Sequence, residues 1–310
     1  MRTLLCLVAL VVLCQTALPG DVPTDPADRD VTDRLEDLGI PYGKVYRGGE
    51  RTYARNPWDL HAFGGHLYLS AGNSSNLGPA QNAGPVPVLR FAPAGGKVET
   101  VFRIDDEQID LYYTFDGQLY LPGHDPKGSW ELGNFYRLEP DGNWKKHRTI
   151  PNAIHAYALA WHDGRLFAGT GTVEKQKGGR RGRSAVCVSE DKGATWTEQK
   201  LGNRRIHAFL SVDETLYAVD VLMDRKTRET WQKYTKTSVV SVFARDPESG
   251  QFLPREDLHL DDLFTDTRRL AWRFTQGKPV KPVAWNGNAV YIGGAIANDH
   301  QYLPVGIFVA

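Results

Sequence analysis

Residues 161–170 read WHDGRLFAGT. Here Asp163-Gly164 sits between two apolar runs. An Asp-Gly pair in that setting signals a two-residue β-hairpin, because both residues tolerate the positive φ such a turn demands. The phrase returns as AFGGHLYLSAG (62–72), TFDGQLYLPG (114–123), SVDETLYAVD (211–220) and WNGNAVYIGG (285–294). With Gly65, Gly117, Gly164, Glu214 and Gly287 as markers, the intervals are 52, 47, 50 and 73 residues. A repeat of this length signals a unit that cannot bury its own faces and must stack on its neighbours.

Each unit reads as four strands. The first, such as IHAYALAW, alternates little and suits a strand buried on both faces. The second follows the tight turn (HLYLSA, QLYLP, RLFAGT, TLYAVD, AVYIGG). A longer loop precedes the third (PVPVLRFAP, NFYRLEP, SAVCVSE, SVVSVFARD, VGIFVA), and a further turn leads to the fourth (KVETVFRI, WKKHRTI, TWTEQKL, QFLPRED). Strand-rich units of about 40–50 residues are propeller blades in size. The expectation is an all-β, five-bladed β-propeller, with six blades as the main competitor. The fifth unit ends after its third strand at Ala310, and GKVYRGGERT (43–52) is strand-like without a partner of its own. That segment is expected to supply the missing outer strand and close the ring, since unpaired edges are a liability. The longest interval is assigned to an insertion around 258–278, in place of a degenerate sixth blade.

Residues 189–196 read SEDKGATW. Through Ser189, Asp191, Gly193, Thr195 and Trp196 this resembles the Asp-box, or BNR repeat, Ser-x-Asp-x-Gly-x-Thr-Trp, of sialidases and many other propellers. The resemblance implies a structural turn between third and fourth strands, braced by the Asp and packed by the Trp. EPDGNW (139–144) and DPESGQF (246–252) echo it at equivalent turns. The likeness is to blade architecture only. The arginine triad of sialidases has no counterpart at the starts of the inner strands, and fold does not transfer activity.

The amino terminus reads as a signal peptide over 1–20: Arg2, the apolar run LLCLVALVVLC, then QTALPG. The run is too short for a comfortable membrane span, so the mature chain is expected to have none and to be secreted or periplasmic. Residues 21–42 form an acidic, proline-punctuated lead-in, and the propeller occupies 43–310. Only Cys187 follows the leader, so no internal disulfide can form there, and its β-like surroundings suit a buried thiol. Basic and acidic residues balance at 37 each, which gives no case for nucleic acid. There is no phosphate-binding glycine loop opening a helix, no Cys-x-x-Cys, no His-Glu-x-x-His and no nucleophile elbow.

The tight turns fall on one face of such a propeller and the long loops on the other: 72–85, 123–133, 173–184, 222–237 and 295–304. Long loops on one face mark it for binding. The starts of the inner strands open at that same face. Aligning them places one polar residue per unit at an equivalent position: Asp59, Asp110, His155, His207 and Lys281. Asp59, Asp110, His155 and His207 are donors that a divalent metal accepts. Asp59 and Asp110 could instead act as the carboxylate pair of a glycoside hydrolase. His155, His207 and Lys281 are candidates for holding a ligand, and a wet channel lined with polar groups is the alternative.

Lys175, Lys177, Arg180, Arg181 and Arg183 crowd one long loop, and Arg225, Lys226, Arg228, Lys233 and Lys236 the next. This basic sector would draw an anionic partner such as a sulfated or uronic-acid glycan. Trp130, Trp231, Tyr234 and Tyr302 could stack on sugar rings or pin their own loops. The sequence therefore points to a carbohydrate-like, anionic ligand at the channel mouth, Arg181 and Arg183 among its contacts. A propeller that docks a protein partner without catalysis is the rival reading.

Overall fold

The computed structural model describes residues 41–42, 59–72, 85–124, 131–176, 179–202, 205–220, 242–258, 274–297 and 302–309. The leader, the lead-in to residue 40, the expected closing strand 43–52, Trp130, Trp231 and Tyr234 lie outside them.

The first sheet comprises β1 (Leu60–Phe63), β2 (His66–Leu69), β3 (Val86–Ala92) and β4 (Lys97–Ile104). The second comprises β5 (Tyr113–Phe115), β6 (Gln118–Pro122), β7 (Leu132–Leu138) and β8 (Trp144–Pro151). The third holds β9 (His155–His162), β10 (Arg165–Gln176), β11 (Gly179–Ser189) and β12 (Thr197–Gly202). The fourth holds β13 (Ile206–Val212), β14 (Thr215–Asp220), β15 (Val242–Arg245) and β16 (Phe252–Pro254). β17 (Phe274–Trp285), β18 (Asn288–Ala297) and β19 (Tyr302–Val309) make a three-stranded sheet. Every sheet is antiparallel and its strands follow chain order.

The repeated phrase forms the hairpin between first and second strands each time. Both central residues of all five turns have positive φ: Gly64-Gly65, Asp116-Gly117, Asp163-Gly164, Asp213-Glu214 and Asn286-Gly287. Mirror-image turns of this kind match the twist of the strands they join.

The core lies between the sheets. Val86, Val88 and Ile104 of the first sheet pack with Leu119, Leu121 and Tyr136 of the second. Tyr120 and Phe135 turn the other way, onto Leu166, Ala168 and Cys187 of the third sheet. Phe167 and Val186 face Phe209, Leu216 and Phe252 of the fourth, and Leu210 and Val219 meet Tyr291 beyond. Successive residues of a strand thus serve two different interfaces, which is why these strands carry no polar alternation. Ile206 and Ala208 have equal parity yet face opposite interfaces, because a register shift falls between them. Sheets stacked face to face in chain order, each sealing its neighbours, make a β-propeller.

Three expectations about loops and strand starts are corrected. Residues 173–176 and 179–184 are strand rather than loop: β10 and β11 continue as a paired ribbon from Leu166↔Ser189 to Gln176↔Gly179. Its residues are polar on both faces, so periodicity could not announce it. The loop at 295–304 shrinks likewise, because pairing of the last two strands reaches Ile296↔Tyr302. The last inner strand begins at Phe274, so Lys281 sits inside β17, where pairing shifts between Val280 and Val283. Residues 259–273 of the expected insertion lie outside the described residues.

Candidate functional site

The site is laid on a backbone belt that crosses three sheets. Residues 105–112, which lead into β5, run beside the ends of β2 and β6. Gly72 bridges Gln108, Ile109 N–H donates to Ala71 O (2.9 Å), and Glu107 N–H donates to His124 O (3.3 Å). His124 in turn bridges His155 at the head of β9, and Ala156 N–H donates to Gly123 O (2.9 Å).

Glycines permit two close approaches, Gly72 to the belt and Gly123 to the neighbouring strand β7. A Cβ on Gly72 would stand 2.2 Å from Gln108 Cβ, and one on Gly123 would stand 2.1 Å from Asn134 Nδ2. The buried Asp106 fastens the belt: its Oδ2 accepts from His124 N–H (3.1 Å) and Asn134 Nδ2 (2.8 Å). Burial raises its carboxyl above the usual range, against the opposing pull of Asn134 and Lys146.

On this belt the side chains converge. Gln108 Nε2 donates to Asp110 Oδ1 (2.7 Å) and to His124 Nδ1 (3.1 Å). An amide nitrogen can only donate, so His124 Nδ1 accepts in this contact. Asp110 Oδ2 lies 3.1 Å from His124 Nε2, within ion-pair reach but off the line of a good hydrogen bond. Tyr157 is ringed by three imidazoles, with centroids 5.0 Å from His124, 5.1 Å from His155 and 4.3 Å from His207. The Arg205 guanidinium lies 5.3 Å from the Tyr157 ring centre. Burial holds His155 well below the usual imidazole range, helped by the nearby His124 and Arg205. One ligand atom each from Glu107, His124 and His155 lies within 4.8 Å of the others, a group able to hold a metal ion.

Asp59 and Lys281 form a separate pair. Asp59 is buried, accepts Tyr112 N–H at 3.0 Å, and forms an ion pair with Lys281. Lys281 Nζ also donates to Leu60 O at 3.1 Å, from a backbone with φ +49°. The aligned residues therefore divide. Asp110, His155 and His207 join the cluster around His124 and Tyr157, while Asp59 and Lys281 are engaged with each other.

Of the basic residues, Arg183 is buried, paired with Glu198 and in reach of Asn152 O at 3.5 Å. Arg181 lies on β11 and Tyr302 on β19, with side chains outside the described set. The turn at 189–196 is braced from within. Asp191 accepts from Ser189 Oγ (2.7 Å), Thr195 N–H (2.8 Å) and Thr195 Oγ1 (2.6 Å). Trp196 Nε1 donates to Thr149 Oγ1 of the preceding sheet at 2.9 Å. Cys187 is buried, its thiol pushed up to about 12 by loss of solvent.

Glu107, Gln108, His124, Tyr157 and Arg205 were not singled out by sequence. His124 ends a second strand and Glu107 precedes a first, so aligning first strands alone passes over both. A signal was present in GHD (123–125), a histidine directly after the glycine that follows the strand QLYLP.

No protein-family model matches the chain. No curated protein matches it either. Solved structures do resemble it in shape. A Bombyx mori GH32 β-fructofuranosidase is 12% identical, with a TM-score of 0.46, over 79% of this chain and 56% of that one. An α-L-arabinofuranosidase of Clostridium thermocellum is 14% identical, with a TM-score of 0.37, over 63% and 71%. The β-propeller domain of the Trilobed protease from Pyrococcus furiosus is 10% identical, with a TM-score of 0.36, over 78% and 66%. The chain thus spans little more than half the length of the first of these. Among the described residues, no helix is long and apolar enough to cross a membrane.

Proposed function

We propose that this chain is a secreted or periplasmic five-bladed β-propeller that binds a carbohydrate-like, anionic ligand where its inner strands begin. The carrying observation is the run of side chains Asp110, His124, His155, Tyr157 and His207 across three successive sheets. The imidazoles and Asp110 of this run offer donors and acceptors for a sugar's hydroxyls, backed by the buried Tyr157 ring. Arg205 at its border and the cations of the β10–β11 ribbon supply the preference for negative charge.

Five blades in a closed ring are favoured by the way the sheets connect. Asp59 meets Tyr112 N–H and His61 meets Thr114 (2.7 Å), joining the first sheet to the second. β9 packs on β13 and β13 on β17, and Lys281 of β17 returns to Asp59 and Leu60. Ile307 and Val309 are exposed on β19, whose outer edge is unpaired among the described residues and is the edge a strand from 43–52 would pair. The braced turn at 189–196 serves as an Asp-box.

The test is calorimetric titration with uronic-acid and sulfated oligosaccharides, with neutral ones as comparators. Tyr157→Ala and His207→Ala should each weaken an acidic ligand about tenfold or more. Equal affinity for neutral and acidic sugars would refute the anionic preference, and none for either would refute the reading and favour a protein partner.

A further inference from the structure

We infer that Glu107, His124 and His155 form a binding site for one divalent first-row transition-metal ion, an inference that shares His124 and His155 with the glycan reading but does not rest on it. The three come from separate segments, and backbone bonding alone sets them side by side: His124 O accepts from Glu107 N–H, and His124 bridges His155. Their ligand atoms already lie within 4.8 Å of one another. An ion about 2.1 Å from each, in tetrahedral geometry, would draw them to about 3.4 Å apart, which side-chain rotation can supply.

The donor set decides the class of ion. Two imidazoles and one carboxylate suit zinc, iron, cobalt or nickel. Calcium and magnesium seek a shell made almost wholly of oxygen. Glu107 and His124 are 4% and 3% exposed, so a bound dication would be shielded from competing water.

The surroundings match those of a metal-bound histidine. Asp110 stands beside His124 Nε2, as an outer carboxylate does when it orients a ligating imidazole. Nδ1 is then the ligating atom, and Gln108, now donating to it at 3.1 Å, must swing away. Gln108 Oε1 is buried and accepts no hydrogen bond from the described residues, and a water on the ion would give it a donor. Asp110 and Gln108 are therefore positioning residues.

The test uses the full chain without an affinity tag, treated with chelator and titrated calorimetrically with Zn²⁺ and Co²⁺, with Mg²⁺ and Ca²⁺ as comparators. One Zn²⁺ per chain is expected, with a rise in melting temperature and visible Co²⁺ absorption bands. Glu107→Gln and His155→Gln should each weaken Zn²⁺ a hundredfold or more while the metal-free proteins keep the parent's circular dichroism. Asp110→Asn should weaken it about tenfold to a hundredfold and shift the Co²⁺ bands. Absence of saturable Zn²⁺ or Co²⁺ binding would overturn the proposal. So would binding unchanged in both ligand variants, or a preference for Mg²⁺ or Ca²⁺. Should His155→Gln fail to fold, the near-isosteric Glu107→Gln decides. Glycan titration of the chelated protein is scored separately, so either reading can fail alone.

Discussion

Glu214 occupies a conformation that its side chain disfavours. Four of the five inner hairpins place glycine at the second turn position, whereas Glu214 stands there with φ +65°. A left-handed backbone costs an ordinary residue roughly 1–2 kcal/mol, and glycine lacks the Cβ responsible. Glu214→Gly should raise unfolding free energy by about 1 kcal/mol in a denaturant titration, after allowance for the more flexible unfolded chain. Asp191 offers a residue-scale test by pH. The hydroxyl and N–H of Thr195, then Ser189, hold its carboxyl at about 2, below the ordinary 3.8. The folded state thus binds this proton less readily than the unfolded chain. The resulting stability is present above about pH 4 and is lost as pH falls towards 2. Asp191→Ala should melt a few degrees below the parent at pH 7, and the gap should close near pH 2.

At the scale of elements, hairpins were legible wherever turn chemistry and apolar runs coincided, as at Asp163-Gly164 between IHAYALAW and RLFAGT. The β10–β11 ribbon was not, because pairing there is driven by continuation of an existing ladder, and its polar residues leave no pattern to read. The same continuation makes the ribbon's tip dispensable to the core beneath it. Replacing residues 174–181 by Asn-Gly should leave the melting temperature within a few degrees of the parent. Retention on a sulfated polysaccharide column should fall sharply, since Lys175, Lys177, Arg180 and Arg181 leave with the tip. Unchanged retention would move the basic contact elsewhere.

At the scale of the whole molecule, the pair of Lys281 and Asp59 ties the last sheet to the first across most of the chain. Asp59 is buried, so removing the ammonium leaves a carboxylate held by Tyr112 N–H without its counter-charge. Lys281→Ala should cost about 2 kcal/mol in a denaturant titration, and adding Asp59→Asn should recover part of it. A cost below about 0.5 kcal/mol would mean that the pair behaves as a surface contact and carries none of the proposed closure.

By itself, the sequence determined the strand order, the five mirror-image turns and the division of each apolar run between two interfaces. Those follow from local φ preferences and from burial on both faces, which neighbouring residues encode. It also aligned Asp59, Asp110, His155, His207 and Lys281 as equivalent positions of a repeat, of which Asp110, His155 and His207 lie together. Tertiary structure alone decided that Asp59 belongs with Lys281, and that Glu107 and His124 stand beside His155. Those meetings depend on a belt of backbone hydrogen bonds between distant segments. Gly72 allows that belt to form only by lacking a Cβ, and no single strand's pattern records it.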